Sequence, residues 1–146
     1  MRRYGERVKA KIKYKVRIGV YGVISVGNNI LLTDQDEEEI QLPGGGLDPG
    51  EQKKHALVRE VREETGWKIQ PIKLMGTYQR FVFMPEYNLW AQKICHIYLC
   101  KGIYPLSKPL DKGHKPILTT PDVAIKLIQN EGDREYLRLY LNISLK

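Results

Sequence analysis

Glu60, Glu63 and Glu64 lie within five consecutive positions of the chain. On a helix, residues three and four apart are neighbours, so Glu60 shares a face with Glu64 and nearly shares one with Glu63. Like charges at that spacing cost a helix about 0.2–0.5 kcal/mol per pair. A hard cation reverses the sign of that cost, because Mg²⁺ is held by one or two carboxylates together with water and phosphate oxygens. Acidic triplets are also common on solvated helices, so this one needs its surroundings to carry a chemical reading.

Those surroundings are specific. From Gly45, five residues lead to Glu51, seven more lead to Arg59, and the run continues Arg59-Glu60-Val61-Arg62-Glu63-Glu64-Thr65-Gly66-Trp67. This resembles the Nudix box, G-x5-E-x7-R-E-U-x-E-E-x-G-U with U a bulky apolar residue, at every specified position. Val61 and Trp67 fill the two apolar slots, and Leu42-Pro43-Gly44-Gly45-Gly46 resembles the usual entry to the box. On that resemblance the chain is identified as a member of the Nudix (MutT-like) hydrolase family.

The resemblance implies an α/β class fold, an α/β/α sandwich with a mixed β-sheet. It implies one domain over residues 1–146, with the box at 45–67 and residues 1–18 as a basic N-terminal strand extension. It implies catalytic roles for Glu60, Glu63, Glu64 and Arg59. Glu60 and Glu64 would be direct metal ligands, Glu63 a further ligand or the base side of the cluster, and Gly44 a donor through its backbone carbonyl. Glu51 and Arg59 would support them. The implied cofactor is Mg²⁺, with Mn²⁺ as the alternative. The implied reaction is attack of water on one phosphorus of a nucleoside diphosphate linked to a group X. Elementary chemistry agrees: glycines let backbone approach phosphates closely, and a helix N-terminus favours an anion.

Family members often recruit a carboxylate from outside the box, and the candidates are Glu86 in the 84–88 loop and Asp111 in a long connection. His114 lies near Asp111 and reads as a solvated loop histidine. For substrate binding the candidates are Arg17, Tyr87, Trp90 and Glu86; Tyr87 or Trp90 could stack on a base at a pocket rim. A small nucleotide-type substrate is the expected partner, with nucleic acid as a further option, no membrane, and a monomer or homodimer. Two other classes stay open: an RNA 5′-end pyrophosphohydrolase or RNA-binding protein using the basic segment, and a non-catalytic nucleotide sensor.

The elements that must position these groups can be read from periodicity. Odd positions from Arg7 to Arg17 are all Lys or Arg and even ones are Val8, Ala10, Ile12, Tyr14 and Val16, a period of two that predicts a half-buried strand. Residues 20–26 and 30–33 read as strands joined at Gly27-Asn28-Asn29. A solvated acidic loop, a short strand at 40–42 and the Pro43–Gly46 turn come next. The spacing predicts a helix over 52–65 stopped by Gly66. Strands follow at 69–75, 77–83 and 93–104, then a proline-rich connection over 105–121, then helices at 122–130 and 133–141.

The net charge of +7 is concentrated. Residues 1–17 hold eight basic groups against one acid, Glu6, and the remaining 16 basic and 16 acidic residues cancel. No apolar run approaches the ~20 residues of a membrane span, and the first residues lack the apolar stretch of a secretory signal, so a cytoplasmic location is the expectation. Cys95 and Cys100 are an odd number of positions apart on one predicted strand, which points them to opposite faces and argues against a mutual disulfide.

Overall fold

Apolar residues, many of them β-branched or aromatic, dominate two long stretches, and these become neighbouring central strands. The computed structural model describes residues 1–144. Strand β1 (Lys15–Val26) runs parallel to β6 (Leu89–Pro105), and β6 is antiparallel to β5 (Trp67–Met84). On the other side β1 turns into β2 (Asn29–Gln35), which pairs with β3 (Glu39–Gln41) and with β7 (His114–Thr119). The short β4 (Gly44–Gly46) pairs with β1 where β2 has diverged. One parallel pair among antiparallel ones makes the sheet mixed.

Helix α1 (Lys53–Thr65) covers one face, and α2 (Pro121–Leu127) with α3 (Glu131–Ser144) covers the other. Alternation along the strands supplies both layers. Val20, Ile24 and Cys100 pack with Ala56, Leu57 and Val61 of α1. Val23, Cys95 and Ile97 pack with Ala124, Ile128 and Leu137. The two cysteines are free, buried and on opposite faces, as their spacing requires. Among the described residues no helix is long and apolar enough to cross a membrane.

Four local expectations change. The basic strand does not begin at Arg7: residues 5–14 have no regular structure and β1 starts at Lys15. The register explains why. Lys15 pairs with Ala91, and β6 begins only two residues earlier at Leu89, so the parallel partner runs out. The outer edge of β5 is taken instead by residues 2–4, where Tyr4 N–H donates to Gln79 O (3.1 Å) and Gln79 N–H to Arg2 O (2.9 Å). Next, the glycine turn is itself a short strand, β4. The two strands read at 69–75 and 77–83 are one, β5, with register shifts at Pro71/Lys73 and Leu74/Gly76. Finally, the proline-rich connection contains β7, an edge strand that tolerates Pro116.

A buried carboxylate ties α3 to the entry of the box. Asp133 accepts hydrogen bonds from the Tyr78 hydroxyl (2.7 Å) and from Leu42 N–H (3.3 Å). Burial pushes its carboxyl up to about 6. An acid whose folded value lies above its unfolded one binds its proton more tightly in the native state. Its contribution is therefore fully present below the unfolded value near 3.8 and is lost as pH rises to about 6. Asp133→Asn should abolish this slope. The difference in unfolding free energy between variant and parent should shift by on the order of 2–3 kcal/mol in the variant's favour between pH 4 and pH 6.5. Urea titrations at three pH values measure it, and a pH-independent difference would refute the burial of this charge.

Candidate active site

Helix α1 is placed by what stops it and what it buries. Gly66 adopts a left-handed conformation (φ 77°) and donates its N–H to Arg62 O (2.8 Å), closing the last turn. A Cβ there would collide with the carbonyl oxygen of Ser107. With Ala56, Leu57 and Val61 turned to the sheet, Glu60 and Glu64 face the glycine strand β4, and Glu63 lies at the rim.

Arg59 organises the acids. Its Nε and Nη2 each lie 2.8 Å from one oxygen of Glu51, a two-pronged bond across two helical turns. Nη1 donates to Glu60 (3.0 Å) and Glu63 (3.3 Å), and Nη2 reaches Gly46 O (3.2 Å). The Arg59 guanidinium holds the Glu51 carboxyl down to about 2. Glu60 and Glu64 move the other way. Burial raises Glu60, and it raises Glu64 well above the usual carboxylate range. Glu64, with its side chain only 6% exposed, accepts the Gly44 N–H at 3.0 Å. A Cβ on Gly45 would sit 2.6 Å from Glu60 Oε2, so glycine keeps that space open.

The structure brings one further group into the cluster and leaves others out. His114 is not solvated: its side chain is 8% exposed, with Nδ1 3.0 Å from the buried Thr33 hydroxyl. Its Nε2 lies 3.5 Å from Asp111 Oδ2 and 3.8 Å from Glu64 Oε2. Asp111 donates its N–H to Glu63 O (2.9 Å), which hangs the connection on the helix. Thr33 and His114 could not be found from spacing, because they meet through the β2–β7 pairing. An open depression of about 300 Å³ beside the acids is lined by His55, Val58, Arg59, Arg62, Glu63 and Leu110.

The proposed substrate contacts lie elsewhere, around the turn at Pro85–Tyr87 that joins β5 to β6. The Arg17 guanidinium stacks 4.6 Å over the Tyr87 ring, and Trp90 packs against Phe83 and Tyr14. Strand alternation puts Arg17 on the face of Tyr21 and Val23, opposite α1. Glu86 belongs to that turn and has no hydrogen bond or ion pair with the box acids.

The donor set suits a hard divalent cation: carboxylate oxygens beside backbone that no Cβ obstructs, one of them on a buried glutamate. Among the described residues no three acidic, histidine or cysteine groups converge closely enough to ligate an ion as they stand. Arg59 Nη1 is bonded to both Glu60 and Glu63, and Glu60 keeps its second carboxylate oxygen free of hydrogen bonds among the described residues.

A mixed sheet between helices, with this acid cluster on one helix against a glycine strand, defines a class. A family model for the NUDIX domain matches residues 13–140. The chain belongs to the Nudix family, whose members generally use divalent metal ions. It is 39% identical over 73 residues to a Bacillus subtilis (strain 168) protein carrying the provisional name 8-oxo-dGTP diphosphatase, covering 49% of each chain. It is 33% identical over 90 residues to an ADP-ribose pyrophosphatase of Methanocaldococcus jannaschii, covering 51% of this chain and 53% of that one. The chain thus spans about half the length of these relatives. A NUDIX hydrolase from Nitrosomonas europaea shares the fold with a TM-score of 0.71 at 21% identity, over 88% of this chain and 90% of that one.

Proposed function

We propose that this chain hydrolyses the pyrophosphate linkage of a nucleoside diphosphate joined to a further group, using Mg²⁺ or Mn²⁺. The observation that carries this reading is the placement of Glu60 and Glu64 against Gly45 and Gly44, with Glu63 beside them and Arg59 spanning the set. Glu60 and Glu64, with Glu63 and the Gly44 carbonyl, would hold the cation. When bound, it neutralises phosphate oxygens and lowers the pKa of a water. The names of the two relatives support the bond type and differ in the group attached, so X stays open. A non-catalytic sensor would have no use for an intact acid set.

The chain's own groups then divide the work. Arg59 fixes Glu51 and steers Glu60 and Glu63. Asp111 is the acid outside the box best placed to take a proton from the attacking water, because its backbone is anchored on Glu63 and its carboxylate faces His114. His114, held by Thr33, orients that carboxylate. Glu86 has no such placement.

The test is a panel of nucleoside triphosphates, nucleotide sugars, dinucleoside polyphosphates and 5′-triphosphate RNA with Mg²⁺ or Mn²⁺. At least one class should be cleaved, with loss of turnover on chelation and at least a tenfold fall in kcat for Glu63→Gln. No cleavage across the panel, or cleavage untouched by chelation, would overturn the reading.

A further inference from the structure

Residues 7–14 leave the sheet, yet they do not trail freely. Lys9 N–H donates to the Tyr14 hydroxyl (3.0 Å), and Tyr14 sits edge-on to Phe81 (4.9 Å) and Trp90 (6.1 Å). The segment is therefore fastened to the tip of the β5–β6 hairpin. It carries much of the chain's excess charge, and the structure leaves that charge unspent. Arg7, Lys11, Lys13 and Lys15 are exposed, and among the described residues none has a carboxylate partner.

The remaining cations of the strip are stacked on rings. Lys9 Nζ lies 4.5 Å over Trp90 and the Arg17 guanidinium 4.6 Å over Tyr87. Tyr87 is nevertheless 55% exposed, so ring surface remains open. Unpaired cations interleaved with accessible aromatic rings are what proteins use to hold single-stranded nucleic acid, phosphates on the former and bases on the latter. An acidic peptide would satisfy the cations and waste the rings. A membrane-surface anchor is typically an amphipathic helix, and this segment has no helix.

The strip lies on the sheet face opposite α1, and β1 links it to the glycine strand. From Lys15, β1 runs to Gly19, which pairs with Gly46 of the glycine strand. Four residues of strand span roughly 13 Å, but the sheet separates the strip from the box acids, so binding at the strip is a site of its own. We propose that residues 7–17, with the rings of Tyr87 and Trp90, are a docking surface for single-stranded nucleic acid. This proposal is separate from the hydrolase reading, because binding is measured without turnover.

The experiment is fluorescence anisotropy of a labelled 15-nucleotide oligonucleotide, without metal, from 30 to 300 mM salt. Each phosphate-bound cation contributes about −0.7 to the slope of log K against log salt. The variant R7Q/K11Q/K13Q/K15Q should flatten that slope by about 3 and weaken binding at least tenfold at low salt. A control, K68Q/K73Q/K101Q/K126Q, removes the same number of charges from exposed lysines elsewhere and should bind as the parent does. Tyr87→Ala should cost about fivefold or more through lost stacking. Thermal midpoints equal to the parent's establish that the variants fold. Equal losses in both quadruple variants would reduce the effect to diffuse net charge and overturn the proposal. So would absence of binding, or capture by phosphatidylserine vesicles in place of the oligonucleotide.

Discussion

Glu64→Gln is expected to abolish hydrolysis while leaving the protein as stable as before, or more so. The two effects have one cause. Glu64 is a carboxylate buried against β4, and burial raises its pKa well above the usual range. At neutral pH its charge is therefore costly unless a cation offsets it. Glutamine retains a carbonyl oxygen for the Gly44 N–H (3.0 Å in the parent) and removes the charge. A raised acid contributes stability that fades as pH climbs from its unfolded value through its folded one. The midpoint of Glu64→Gln relative to the parent should thus be near equal at pH 4 and higher at pH 8. Metal should favour the parent: a ligand at tenfold its Kd adds about 1.4 kcal/mol to the parent and little to the variant. Activity should fall at least about 10²-fold, the equivalent of about 2.7 kcal/mol. Paired kcat measurements and thermal melts, with and without Mg²⁺, check all three. A variant destabilised at pH 8, or one still active, would remove Glu64 from the ligand set.

The parts of this site that could be read in advance are those set by local spacing. Helix periodicity puts Glu60 and Glu64 on one face with Glu63 near it, the resemblance to the Nudix box singles the three out, and Gly66 follows from the need for a left-handed stop. The cysteine faces follow from a period of two. What could not be read depends on pairing between distant segments. His114 looks like a loop residue because four prolines surround it, and only the β7–β2 register brings it to Thr33 and Glu64. Period two in residues 7–17 was necessary for a strand and insufficient, because a strand also needs a partner edge. Here β6 begins opposite the start of β1, leaving no partner for earlier residues, and residues 2–4 occupy the β5 edge. Asp133, 91 residues from Leu42, is invisible to any local pattern.

Gly44→Ala, at the entry to the box, should be a severely damaging single-methyl change. Gly44 has φ 150°, and a Cβ on it would collide with the carbonyl oxygen of Val20 and lie 2.7 Å from Tyr21 Cα. Both obstacles are backbone of the central strand, clamped between β4 and β6, so neither can turn aside. Relief requires β4 to lift from β1. That breaks the Tyr21–Gly44 pairing and withdraws the N–H from Glu64, leaving a buried carboxylate without its donor. Strained backbone at a non-glycine residue costs about 1–3 kcal/mol, and the lost hydrogen bond to a charged group adds to it. A loss of at least about 3 kcal/mol in urea unfolding is expected, with turnover down at least about 10²-fold. Gly46→Ala is the internal control, since the nearest atom to its added Cβ is Ile18 O at 4.0 Å, ordinary contact. It should change stability by no more than about 0.5 kcal/mol. If the two variants unfold alike, the close approach of β4 to β1 is not what seats Glu64.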